Sequence, residues 1–369
     1  MSLRLLNSHL NIFFNSHLNF DYHIMNTPKK IVFIVNPISG TSKKKTIIRQ
    51  IDKYIDQEKF QFKIEYTEYK GHASEITKNA VAQGVDVVCA IGGDGTVNEV
   101  ASELVHTNTA LAIIPAGSGN GLARHLRIPQ DAIRAIKLIN NCNPIPIDYG
   151  IINQTPFFCT CGVGLDAFIS QKFAESGKRG FLSYIENVLK HALSYNPEFY
   201  QLDVVNEQET HVEYKAALIA CANASQYGNN VYIAPGASVQ DGLMDVIIVE
   251  PYNMLEATQM GYQIMHGTLH KNSHVKKLQC KSIRIRRNEE GPIHYDGDPM
   301  TTGKVIDVSI VSKGLYVIFD GKEGMRKMGE SLQNTVTTYY NNLYMKSEQI
   351  IENSSDKGKK LLGIKNNKE

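Results

Sequence analysis

Up to about residue 145 the sequence alternates short strand-like runs, most of them apolar, with amphipathic segments, and this alternation restricts the fold more than any other feature. Residues 31–35 form an apolar run, and residues 43–59 follow with Ile47, Ile48, Ile51 and Tyr54 on one helical face. The pair recurs at 62–67 with 73–83, at 85–91 with 96–106, and a further apolar run stands at 110–115. Apolar strands such as 31–35 and 110–115, joined through helices, require cover on both sides. The expected N-terminal domain is therefore α/β, with a doubly wound, mostly parallel sheet. Ligands of such sheets bind at the carboxyl ends of the strands.

After residue 145 the period changes to two. Runs rich in β-branched residues lie at 146–151, 157–161, 200–205, 214–222, 244–249, 275–285, 305–311 and 315–319, with helical stretches at 181–195 and 254–266. This pattern predicts an antiparallel β-rich C-terminal domain with helices. A chain of 369 residues accommodates two domains. The expected division is a disordered leader over 1–28, an α/β domain over 29–145, a β-rich domain over 146–314 and a flexible tail over 353–369. The segment 315–350, helical from about Lys322, is expected to pack back on the first domain.

Charge and cysteine content exclude some functions. The 39 basic and 37 acidic residues leave a net charge of +2, which gives no support for a nucleic-acid partner. Six cysteines occur without a CxxC pair, so reduced thiols of a cytoplasmic protein are expected rather than a zinc site. No apolar run approaches the length that spans a bilayer.

Three glycine-bearing loops follow strands of the first half: Asn36-Pro37-Ile38-Ser39-Gly40, Gly92-Gly93-Asp94-Gly95-Thr96, and Pro115-Ala116-Gly117-Ser118-Gly119-Asn120-Gly121. Glycines between a strand and a helix let backbone N–H groups approach an anion. An acid beside a phosphate is repulsive unless a cation or a transferred proton lies between them, so Asp94 points to phosphoryl transfer. Plainer readings stay open. Asp94 and Asp166 could cap helices, and Asp241-Gly242 and Asp298 could belong to turns. His266, His270 and His274 are spaced by four, but Gly267 interrupts the helix they would need. Lys281, Arg284, Arg286 and Arg287 read as a solvated strand face that anionic lipid could also touch.

Five motifs in order give the chain its resemblance: Asn36-Pro37-x-Ser39-Gly40, Gly92-Gly93-Asp94-Gly95-Thr96-x-Asn98-Glu99, Pro115-Ala116-Gly117-Ser118-Gly119-Asn120, Gly162-x-Gly164-x-Asp166-Ala167 and Asp296-Gly297-Asp298. Over about residues 29–320 it resembles the diacylglycerol kinase catalytic-domain family, which includes soluble bacterial lipid kinases and sphingosine kinases. The resemblance implies an ATP- and Mg²⁺-dependent lipid kinase that phosphorylates diacylglycerol or a sphingoid base in lipid and phospholipid metabolism. It implies nucleotide contacts from Asn36, Pro37, Ser39, Gly40, Thr67, Gly92, Gly93, Asp94, Gly95, Thr96, Asn98, Glu99, Gly117, Ser118, Gly119 and Asn120. It also implies a structural Mg²⁺ held by Ser238, Asp241 and Leu243, and a contact from Asp166 to the lipid head.

Asp94 and Asp298 are the two candidate bases. The assignment taken is Asp94 for organising Mg²⁺ and water, and Asp298 for accepting the proton. Gly121 follows Asn120 where many bacterial diacylglycerol kinases carry Asp, a departure that counts against diacylglycerol as the acceptor. A cytoplasmic location with transient membrane contact is expected, and a homodimer is left open. The alternatives are a kinase of the same superfamily acting on a soluble alcohol, or a non-catalytic lipid- or nucleotide-binding regulator.

Overall fold

A computed structural model describes residues 27–37, 44–176, 191, 194–206 and 208–324. The expected leader up to residue 26, Ser39 and Gly40, most of the 181–195 helix, and the chain from residue 325 onward lie outside the described residues.

The first half runs β1 (Lys29–Val35), α1 (Lys44–Tyr54), β2 (Phe60–Tyr66), α2 (His72–Ala82), β3 (Val87–Gly92), α3 (Asp94–Leu104), β4 (Ala110–Pro115), α4 (Gly121–His125) and α5 (Ala132–Asn141). The strands are parallel, in the order β2-β1-β3-β4. Every residue of β3 and β4 is buried, as runs without a polar face demand. Helices α1 and α5 pack together, as do α2 and α3. The buried stripe of α3 is Val97, Val100, Ala101 and Leu104, with Thr96 beside it. On α1, Ile47 and Ile51 are buried while Ile48 is only half-buried.

The chain continues through β5 (Pro144–Ile152), β6 (Thr155–Phe157), β7 (Thr160–Gly164), α6 (Leu165–Glu175), β8 (Glu198–Val205), β9 (Glu209–Ala216), β10 (Leu218–Ala222), β11 (Met244–Val249), α7 (Met254–His266), β12 (Val275–Cys280), β13 (Ser282–Arg287), β14 (Gly291–Tyr295), β15 (Asp298–Thr302) and β16 (Val305–Ile318). One antiparallel sheet has the order β12-β11-β10-β7-β14-β15. It packs face to face on β8, β13 and β16, with Val163, Cys221 and Val246 meeting Leu202, Ile285 and Ile306 in a shared core. Its other face buries Ala220, Ile247 and Val249 against Met260 of α7. Helix α7 opens on a capping box between Asn253 and Glu256 and ends on Gly267 in the left-handed region, φ 67°. The result is an N-terminal parallel α/β region and a C-terminal antiparallel β-sandwich.

Strand β16 joins the two. It runs antiparallel to β13 and β5, and Val317 pairs parallel with Leu111 of β4. Its register against β5 shifts between Val311 and Leu315, which is why the sequence shows two apolar runs where there is one strand. Three other runs read as single strands are divided. The run 214–222 turns from β9 into β10, 275–285 from β12 into β13, and 157–161 from β6 into β7. Each passes from one sheet to the other through a corner of one or two residues, too short to interrupt the hydrophobic pattern. All six cysteines are free, and only Cys142 is not fully buried.

Candidate active site

The second and third glycine loops touch. A Cβ on Gly117 would lie 2.4 Å from the Cα of Gly93, so only glycine allows the two backbones to meet. Asp94 is the first residue of α3, and its carboxylate accepts the Asn120 N–H at 2.8 Å and the Gly121 N–H at 2.6 Å. Asn120 adopts φ 53°, and its side chain accepts from Gly117 N at 3.1 Å while donating to Gln130 Oε1 at 2.9 Å. Burial pushes the Asp94 carboxyl above its ordinary pKa, opposed by the Gly121 and Asn120 N–H groups and by Arg124.

The first loop reaches the same rim. Asn36 Nδ2 donates to Thr96 Oγ1 at 3.2 Å, and Lys44 Nζ donates to the Asn36 carbonyl. Thr67 is buried at the end of β2, its N–H on Val35 O at 2.9 Å, and Pro37 is exposed. Gly95 and Ser118 are exposed, and Gly119 packs against the Asp94 carboxylate. Glu99 is turned elsewhere. Its carboxylate accepts Gly71 N at 3.0 Å and Ala73 N at 3.2 Å, closing the start of α2.

A cavity of about 210 Å³ separates these loops from the sandwich, with Asp94, Asn98 and Ser118 on one wall and Tyr227, His294 and Asp296 on the other. Asp296 and Gly297 form the β14–β15 turn, with φ 47° and 89°. Both Asp296 oxygens are engaged. Oδ1 accepts Cys159 N at 2.7 Å and Thr160 N at 3.1 Å; Oδ2 accepts Phe158 N and Asn98 Nδ2, each at 2.8 Å. Burial raises the Asp296 pKa against these four bonds.

Asp298, the acid chosen from the sequence, does not line this cavity. Its side chain is 49% exposed and meets Lys70 Nζ of the first domain at 3.5 Å. The motif supplied two acids two residues apart, and the turn directs Asp296, not Asp298, to the cavity.

Asp166 is buried at the start of α6, where the N-cap is Gly164 and no side chain caps the helix, and it does not line the cavity itself. Oδ1 accepts Ala167 N at 2.8 Å, while Oδ2 accepts the Tyr227 hydroxyl at 3.0 Å and lies 2.9 Å from His294 Nε2. His294 and Tyr227 went unmarked in the sequence. The one signal for His294 was parity, since a strand residue two before Asp296 faces the same side.

Around Ser238, Asp241 and Leu243 the groups are oxygen-rich. Asp241 Oδ1 accepts Leu243 N at 3.0 Å, and Ser238 Oγ donates to Glu323. Burial raises the Asp241 pKa, and the nearby carboxylates of Asp245, Asp148 and Glu323 raise it further. Both Asp245 oxygens lack a hydrogen bond, and Lys277 Nζ stands 2.9 Å from Oδ1. Asp148 and Glu323 already accept other donors, so Asp241, the carboxylate of the turn, is left to offer a hard oxygen to a divalent cation. Of the spaced histidines, His274 pairs with Glu256 at 2.9 Å, and His266 bonds to Tyr262 O.

Residues 30–152 match the diacylglycerol kinase catalytic domain, and residues 159–319 match the YegS C-terminal NAD kinase beta sandwich-like domain. The diacylglycerol kinase of Bacillus subtilis (strain 168) is 25% identical over 280 residues, 73% of this chain and 90% of that protein. "Probable lipid kinase YegS" of Escherichia coli O17:K52:H18 is 29% identical over 288 residues, 75% of this chain and 93% of that protein. The crystal structure of a candidate diacylglycerol kinase from Bacillus anthracis str. Sterne shares the fold, with a TM-score of 0.66 at 24% identity over 79% of this chain and 96% of that one. Among the described residues no helix is long and apolar enough to cross a membrane.

Proposed function

This chain belongs to the diacylglycerol kinase catalytic-domain family, with a C-terminal domain of the YegS type, and from that premise we propose that it transfers the γ-phosphoryl group of ATP to the hydroxyl of a lipid alcohol. The observation that carries the reading is the facing of two carboxylates, Asp94 and Asp296, across one cavity between the two domains.

The residues present fit Mg²⁺–ATP. The first turn of α3 offers backbone N–H groups without intrahelical partners, and the Gly93–Gly117 contact keeps side chains out of the way of phosphate oxygens. Asp94 is a hard oxygen donor whose hydrogen bonds come from backbone N–H groups, which fix its direction without supplying a neutralising cation. Bound Mg²⁺–ATP would supply the transferable group and offset its negative charge.

The acceptor hydroxyl is a weak nucleophile until its proton is taken. Asp296 lines the cavity, and its raised pKa suits that task better than an ordinary carboxylate. A carboxylate has about four acceptor positions, and all four are in use here. Three donors are backbone, so the Asn98 amide is the one that swings aside when a hydroxyl enters. Asp298 stands outside the cavity, in an exposed pair with Lys70 of the first domain.

The 238–243 turn would hold a structural divalent cation, with Glu323 beside the expected Ser238, Asp241 and Leu243. A lipid acceptor must be lifted partly from a bilayer, so transient contact with a membrane surface belongs to the same reading. The test is phosphorylation of a lipid extract by the purified protein with labelled ATP. Label entering a lipid fraction, and lost in Asp94→Asn, is the expected result. Label confined to water-soluble products would end the proposal.

A further inference from the structure

His294 is 1% exposed and lines the cavity. Its ring is held from one side. Nε2 lies 2.9 Å from Asp166 Oδ2, an oxygen that also accepts the Tyr227 hydroxyl at 3.0 Å. Asp166 is fixed in turn, because Oδ1 accepts the Ala167 N–H at 2.8 Å. The Tyr227 and His294 rings meet edge to face at 5.9 Å.

These contacts determine the tautomer. A carboxylate accepts, so Nε2 carries the hydrogen, and Nδ1 of the neutral ring carries a lone pair. That Nδ1 is buried and has no hydrogen-bond partner among the described residues. A buried acceptor left without a donor is costly, and one held rigidly beside a cavity is built to receive a donor from a ligand. Asp166 has already given its oxygens to neighbours, so it orients His294 and does not itself meet the acceptor.

We propose that His294 Nδ1 accepts a hydrogen bond from the acceptor lipid, and that the preferred acceptor therefore bears a second donor, a hydroxyl or an amine, besides the hydroxyl that is phosphorylated. This rests on the lipid-kinase reading and narrows it. A diacylglycerol has a single hydroxyl and no other donor. A monoacylglycerol or a long-chain amino alcohol has both groups. Asp166 and Tyr227 are positioning residues for His294.

The test compares monooleoylglycerol, sphinganine and dioleoylglycerol at equal mole fraction in mixed micelles, with the full-length protein and labelled ATP. Expected is a kcat/KM for monooleoylglycerol or sphinganine at least about tenfold above that for dioleoylglycerol. His294→Gln can keep the bond to Asp166 through its amide nitrogen while leaving nothing at Nδ1, and the ratio should fall toward one. His294→Asn places an amide oxygen near the Nδ1 position and should keep part of the preference. A native ratio near one overturns the proposal. So does a ratio unchanged in His294→Gln, or an equal loss in both variants. If His294→Gln does not fold, the native ratio alone decides. A native protein that labels none of the three lipids but phosphorylates a soluble alcohol sinks the lipid-kinase reading itself, a result distinct from a flat ratio.

Discussion

Asn98 Nδ2 lies 2.8 Å from Asp296 Oδ2. This hydrogen bond runs from the helix behind the glycine loop to the hairpin of the sandwich, so one contact couples the nucleotide side of the cleft to the acceptor side. It also favours the ionised form of Asp296, against the burial that raises its pKa. Asn98→Ala removes that help, so the Asp296 pKa rises further. Asn98 bonds Asp296 in the free enzyme, so in the variant ionisation of the free enzyme begins at higher pH, and the acid limb of the kcat/KM–pH profile moves upward. An acid limb unmoved in the variant would remove Asp296 from the proton-accepting role.

Asp296 and Asp298 are separable by substitution. Asp296→Asn should lower kcat by roughly 10²-fold or more, the usual scale for a lost general base. Asp298→Asn, at an exposed site facing Lys70, should cost about tenfold or less, with the effect diminished at high salt because exposed ion pairs are screened. Steady-state kinetics with a single lipid acceptor decides. The reverse order would restore Asp298 as the acceptor of the proton.

Gly117→Ala tests the contact between loops. The new Cβ would sit 2.4 Å from Gly93 Cα, which is backbone and cannot turn away, and 2.9 Å from Asn120 Oδ1. Forced overpacking of this kind costs about 1–3 kcal/mol. The expected signs are a lower melting temperature and weaker ATP binding by calorimetry, whereas native-like ATP affinity would show that the loops do not need this approach.

Glu323 gives a pH dependence of stability. Burial pushes its carboxyl upward, but hydrogen bonds from His125, Ser238 and Val239 N hold it below its ordinary value of 4.5. A folded pKa below the unfolded one means that the unfolded chain binds more protons in between, so the contribution is present above pH 4.5 and lost as pH falls through the folded value. Glu323→Gln should therefore lower the melting temperature most near neutral pH and least in acid. A deficit that stayed constant from neutral to acid pH would show that the charge of Glu323 is not what stabilises the fold.

Removing divalent cation with a chelator should lower the melting temperature of the native protein, and Asp241→Asn should blunt that drop. An unchanged melting curve in both would leave the 238–243 turn without a cation.

The parallel α/β region was legible because its central strands have no polar face and its glycine loops stand where strands end. Local chemistry was enough to mark Asp94, Thr96, Gly117 and Asn120, whose partners lie in neighbouring loops of one sheet rim. The path of the sandwich was less so. A strand that changes sheets at Ala217 or Lys281 keeps its period of two, and a bulge within β16 reads as a gap between two strands. Both are decisions made by pairing partners far away in the chain.

What the sequence alone determined is which residues could bear charge beside a phosphate: the acid among glycines at 94 and the two acids of the turn at 296–298. Which of those two acids enters the cleft was decided by the tertiary structure. Thr160, Cys159 and Phe158, more than a hundred residues earlier, present their N–H groups to Asp296 and hold it inward. Burial of His294 against Asp166 was decided the same way. A carboxylate or an imidazole has a role only once its donors and acceptors are assembled around it, and that assembly joins segments no local pattern connects.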